Sequence, residues 1–264
     1  MEIIRAIYFA KENVSDVLHD LAICIRQRHE LKRPTSHRHS ARGNGRGGGK
    51  LRQHQKVVMA HTEIVRLKNA VNEHDHIAGP QSAPVTMVEY GNFECIHCGR
   101  AYPEIKKVRK LLGESLRFVF RHFPNAQTHP HSLRAAEAAE SAGAQKKFWE
   151  MHDELFTHQQ ALEDRDLSQY AKRIGLEADR FARDMAENTF LKKIEADYDR
   201  GIFDEHVTGT PTFYFNDVRY NGAADVESLL SAIKKADTEG LINLSETPGG
   251  LRGLIDRLRR GTGG

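Results

Sequence analysis

Cys95 and Cys98 stand three positions apart in "FECIHCGRAYP", residues 93–103, and Cys24 is the third cysteine of the chain. Two thiols at that spacing can exchange with a disulfide, supply half of a zinc site, or sit inert at a helix end. Exchange needs a thiolate, and an ordinary cysteine ionises near pH ~8.5, so a working nucleophile must have its pKa lowered. A strand-like run, "VTMVEY", ends just before the pair and a helical pattern begins at it. Cys95 therefore falls where unpaired N–H groups and the positive end of a helix dipole face its sulfur. His97, between the cysteines, can give that sulfur a hydrogen bond or a positive charge. Cys98, one turn further in, is shielded and suited to resolve a mixed disulfide. A structural zinc ion takes four ligands, and no second Cys-x-x-Cys pair accompanies this one; His122, His129 and His131 are the candidate donors.

The elements that must position the pair follow from periodicity. "VTMVEY" is short, β-branched and largely apolar, as a buried strand is. After the cysteines, Ala101, Ile105, Val108 and Leu112 form one helical stripe, and "LRFVFRHF" reads as a second strand. Five stretches with apolar residues at helical spacing follow, from "SLRAAEAAESAGAQ" to "FLKKIEADYDRGIF". The chain then returns to β with "TPTFYFN" and "VRYNG", and closes with a helix through "DVESLLSAIKKA". Strand, helix, strand, helical insert, hairpin, helix is an α/β order.

Upstream the character changes. Residues 1–76 hold 14 Lys+Arg against 8 Asp+Glu, a net +6, which leaves −3 on the remainder of a chain whose formal charge is +3. The basic residues crowd into a Gly, Ser, Arg and His stretch, "RQRHELKRPTSHRHSARGNGRGGGK", which lacks the apolar content to order itself. It reads as a solvated linker more readily than as a nucleic-acid tail. Residues 3–25 carry the pattern of an amphipathic helix, with Cys24 as a small hydrophobe in it, and "QKVVMAHTEIVRLKNAV" predicts a short helix. "DHIAGPQSAPV" supplies turn chemistry before the first strand. A product starting at Met59 would keep everything that looks foldable, so residues 1–58 are expected to be dispensable or an over-extension of the reading frame. No run reaches the roughly 18 apolar residues of a membrane span. As written the chain is expected in the cytoplasm; with a mis-assigned N-terminus, in the periplasm or elsewhere outside it.

"VTMVEYGNFECIHCGRAYPEIKKV" followed by "GTPTFYFN" resembles the DsbA-like branch of the thioredoxin superfamily, especially bacterial members, from about Asp75 to about Ala236. The resemblance implies a thioredoxin fold with an inserted α-helical subdomain. It also implies a thiol–disulfide oxidoreductase in which Cys95 is the exposed attacking thiol, Cys98 its buried partner and His97 the histidine between them. Pro211, after Thr210, matches the cis-proline loop that offers backbone groups to an extended substrate. Glu89 matches the buried acid that moves protons at the inner cysteine, and Pro103 a proline in the active-site helix. Ile96 departs from the proline usual after the first cysteine, adding an apolar, substrate-facing surface.

The expected organisation is an N-terminal segment and linker without fixed structure over 1–75, a DsbA-like domain over 76–236 with its helical insert at about 126–206, and a C-terminal tail over 237–264. The expected partners are protein thiols or disulfides and an unidentified redox partner. No metal and no cofactor beyond the dithiol is expected. Related domains occur fused to sodium/proton antiporters, which keeps a non-catalytic, redox-sensing module as the alternative.

Overall fold

A computed structural model describes residues 64–238 of the 264-residue chain. The amphipathic stretch over 3–25, Cys24, the basic linker, Met59 and the tail lie outside the described residues. Strands β1 (His76–Ala78), β2 (Val85–Gly91), β3 (Leu116–His122), β4 (Thr212–Phe215) and β5 (Val218–Tyr220) form one sheet in the order β1-β3-β2-β4-β5. β2 and β3 are parallel and the other neighbours antiparallel. Helix α1 (Ile96–Leu112) makes the crossover between the two parallel strands, which is what a parallel pair requires. Between β3 and β4 come α2 (Ser132–Gly143), α3 (Phe148–Thr157), α4 (Asp164–Arg173), α5 (Ala178–Glu187), α6 (Leu191–Asp199) and a π-type turn, Arg200–Asp204. Helix α7 (Val226–Thr238) ends the described chain. This is a thioredoxin-like fold with a helical insert, as the sequence implies.

Alternation along the strands sorts the core. Val85, Met87 and Glu89 share one face of β2, and the α1 stripe of Ala101, Ile105 and Val108 packs with Met87, Phe118, Phe213 and Leu229. A second core joins Phe93 and Phe120 to the insert helices through Met151, Leu155, Leu167 and Phe181. The insert is therefore seated beside the cysteines, not on a separate stalk.

Two expectations are corrected here. The ordered body reaches upstream of residue 76: Leu67 is buried, its N–H donates to Asp217 O at 2.6 Å, and the N–H groups of Lys68 and Asn69 reach the Glu205 carboxylate at 3.0 and 2.8 Å. Those same bonds replace a helix. In the stretch expected to be helical, residues 64–71 form no helix: Arg66 bridges Val218, the chain bends at Lys68 and Asn69, and the donors of residues 67–69 find partners across the fold and not four residues back. The turn-forming stretch at residues 75–85 also contains β1, a three-residue strand on the edge of the sheet.

Candidate active site

Cys95 is the N-cap of α1, with extended backbone angles, φ −74° and ψ 121°. Its position is fixed by the turn that leads into the helix. Asn92, buried, accepts the N–H of Glu94 on its side chain at 2.9 Å and the N–H of Cys95 on its carbonyl at 3.1 Å, and Gly99 N–H closes the first helical bond to Cys95 O at 3.0 Å. Gln159, just beyond α3, donates Nε2 to Phe93 O at 2.7 Å and to Cys95 O at 3.0 Å. A side chain on residue 99 would run into that amide, so glycine follows Cys98 for want of space. Phe93 is packed between Phe120 and Phe156, with ring centroids 5.1 and 5.0 Å away, which locks the insert to the turn.

Both thiols are free and within hydrogen-bonding reach of each other. Cys95 Sγ also donates to Thr210 O at 3.4 Å, and the Thr210–Pro211 peptide bond is cis. The Cys95 pKa is brought down to about 4. The hydrogen bond from the Cys98 thiol is the largest cause; the Thr210 side chain and the N–H groups of Cys98 and His97 at the helix mouth add to it, against the opposing effect of burial. Cys98, fully buried, is pushed well above the ordinary thiol range by burial, by its bond to Cys95 and by the neighbouring Glu89 carboxylate. Glu89 lies on the same side of β2, is 1% exposed and has an Oε1 without a hydrogen-bond partner. Burial, and then the charge of Cys95, raise its pKa to about 8.

The structure thus brings Cys95, Cys98, Glu89, Thr210 and Pro211 together. Two placements differ from those the resemblance implies. Cys95 is 5% exposed, because Cys98 and the Thr210–Pro211 loop lie against its sulfur. His97 is exposed; among the groups acting on Cys95 it contributes its backbone N–H, while its residue lines a cleft of about 510 Å³ with Arg100, Glu104, Thr210, Pro211 and Asp225. Ile96 stands 55% exposed beside the pair. Of the histidines considered as zinc donors for the cysteines, His131 turns to Glu94 at 2.9 Å, His129 to Thr128 at 2.9 Å and His122 to Glu140 at 2.8 Å. Gln159 carries no sequence signal of its role, because only the folded chain brings it to Phe93 O and Cys95 O; Asn92 acts on the turn that follows it directly, through the N–H groups of Glu94 and Cys95.

The thioredoxin family model Thioredoxin_4 matches residues 71–235. Curated relatives include the Na(+)/H(+) antiporter NhaA 1 of Salinispora arenicola, 46% identical over 166 residues, which are 62% of this chain and 25% of the relative. A counterpart from Mycobacterium sp. (strain KMS) is 43% identical over 61% of this chain and 27% of its own length. The chain thus spans about a quarter of the length of these relatives. Among solved structures, BdbD from Bacillus subtilis superposes with a TM-score of 0.58 at 24% identity, over 65% of this chain and 97% of that one. Wolbachia pipientis alpha-DsbA1 gives 0.56 at 20%, over 65% and 94%.

Proposed function

The chain belongs to the thioredoxin family, with the fold of its DsbA-like members, and we propose that it exchanges disulfides with protein substrates through Cys95 and Cys98, preferentially in the oxidising direction. The observation that carries this reading is geometric: Cys95 caps the helix with Cys98 buried one turn behind it and the cis Thr210–Pro211 loop against its sulfur, an arrangement that brings Cys95 down to about 4 and pushes Cys98 well above the ordinary range. A thiolate stabilised in the reduced form makes the corresponding disulfide a strong oxidant and makes Cys95 a good leaving group.

In that direction a substrate thiolate attacks Cys95 Sγ of the oxidised pair. The Cys95–Cys98 bond breaks, and Cys98 leaves and takes up a proton, which Glu89 is placed to supply. A second substrate thiolate attacks the substrate sulfur of the mixed disulfide and expels Cys95 as a thiolate. Two electrons have passed from the substrate dithiol to the pair, and a redox partner must remove them. In reverse, Cys95 attacks a substrate disulfide and Cys98 displaces the product. Exposed Ile96 and the cleft beside Thr210 and Pro211 are the surfaces a substrate segment would meet.

A second reading rests on the antiporter relatives: the domain acts as a redox-sensing module on a partner protein. Oxidative refolding of a reduced substrate protein and insulin reduction separate the two. Turnover that falls to background in Cys95→Ser supports the enzyme; absence of turnover in both directions supports the module.

A further inference from the structure

A second cluster of chemistry-bearing side chains lies on the insert side of the sheet, apart from the cysteines. His76 from edge strand β1, His122 from the end of β3 and Glu140 from α2 converge on one point. The Nε2 atoms of His76 and His122 lie 2.7 and 2.8 Å from the same Glu140 Oε1. Nζ of Lys193, on α6, is 2.6 Å from that oxygen and 3.2 Å from His76 Nε2. The side chains of His76, His122 and Glu140 are 16%, 1% and 4% exposed, and that of Lys193 28%.

This arrangement is crowded: His76 Nε2, His122 Nε2 and Lys193 Nζ all meet one carboxylate oxygen of Glu140. His76 Nε2 faces a carboxylate oxygen and an ammonium at once. A neutral imidazole nitrogen is either donor or acceptor, so it can serve Glu140 only with its proton on and Lys193 only with its proton off. Protonating both nitrogens sets an imidazolium against the ammonium. A divalent cation in place of Lys193 Nζ removes the conflict, since both imidazole nitrogens and the carboxylate then present lone pairs to it.

We propose that His76, His122 and Glu140 are a three-ligand site for a zinc-class divalent cation, with Lys193 holding the cation's place in the metal-free chain. Two imidazoles and a carboxylate with a fourth, open position are a known zinc donor set. The rings are already oriented: His76 stacks on Phe148, centroids 3.4 Å apart and planes within 5°, and His122 packs edge-on to Phe93 and Phe120. Lys193, the most exposed of the four, supplies the entry path by swinging into solvent. Its departure leaves no orphaned acid, because Asp197, which it approaches at 3.9 Å, keeps Arg200 as a partner and accepts the His122 N–H at 3.2 Å. The bound ion would tie the edge strand to the sheet and the insert. Its chemistry is independent of the cysteine pair.

The test is zinc titration of the full chain carrying Cys95→Ser and Cys98→Ser, so that neither thiolate competes, read by calorimetry and by the thermal midpoint. The expected result is one more equivalent bound than in the same chain with His76→Ala, and a zinc-dependent rise in midpoint that His76→Ala loses. Lys193→Met, which keeps every ligand and removes the competitor, should bind about tenfold tighter or more, ~1.4 kcal/mol per factor of ten. Equal stoichiometry with and without His76, or no gain in affinity in Lys193→Met, would overturn the site, and the second arm stands even if His76→Ala unfolds.

Discussion

At the scale of residues, one spacing and one strand position carry the chemistry. Cys95 and Cys98 are separated by one helical turn, so the first caps the helix and the second is buried beneath it; Glu89 reaches the same place because β2 alternates its faces. The cysteine spacing and the start of the helix were legible from residue type and local period; the place of Glu89 came from the family resemblance, and the burial of Cys95 was not expected. The size of the Glu89 effect was not legible, because it arises from burial by the folded sheet. The Glu89 pKa is raised from 4.5 to about 8, so the native state holds a proton that the unfolded chain has released across that interval. Its contribution to stability is nil below pH 4.5 and becomes increasingly unfavourable as pH rises toward 8. Glu89→Gln is therefore expected to stabilise the fold at pH 7 by roughly 1–3 kcal/mol, with no gain near pH 4. Denaturant melts at the two pH values check this. The same variant should slow the step in which Cys98 takes up its proton, visible as slower decay of a mixed disulfide.

At the scale of elements, the long helices and the buried strands were readable because each repeats its period over several turns or alternations. The exceptions share a cause. β1 has three residues and no room for a pattern, and residues 64–71 carry apolar side chains at helical spacing while the N–H groups of Leu67, Lys68 and Asn69 are taken by Asp217 O and the Glu205 carboxylate. Tertiary hydrogen bonding outweighed local propensity in that segment. The link from insert to active site was likewise invisible, since it depends on Gln159 reaching two carbonyls more than sixty positions away. Gln159→Ala removes the side-chain donor from Phe93 O, while Cys95 O keeps the Gly99 N–H, and a loss of about 1–3 kcal/mol is expected from leaving the buried Phe93 carbonyl short of a partner. The predicted signature is local: hydrogen exchange at the Asn92–Gly99 turn rises while α5 and α6 keep their protection.

At the scale of the whole molecule, the boundary of the folded body was placed too late by sequence, because charged, low-complexity residues mask the few that pack. Asp75 shows the consequence. Its two carboxylate oxygens accept from Arg121 Nε at 2.8 Å and an Arg121 terminal nitrogen at 2.9 Å, both side chains are wholly buried, and Arg121 also binds Tyr90 and Ala70 O. Cutting the chain at residue 76 would strand that guanidinium. Removing one partner of a buried pair costs about 3–5 kcal/mol. Asp75→Ala should therefore lower the thermal midpoint on the order of 10 °C, at roughly 2–4 °C per kcal/mol for a body of this size. A drop of only a degree or two would mean that the segment before β1 is dispensable after all.

The ionisation of Cys95 bears most directly on the redox reading. Followed by thiolate ultraviolet absorbance in the reduced full chain, with the Cys95→Ser signal subtracted, it should show a midpoint near pH 4. A midpoint at the ordinary cysteine value of about 8.5 would mean that nothing at the helix mouth holds the thiolate, and the oxidising role built on it would fall.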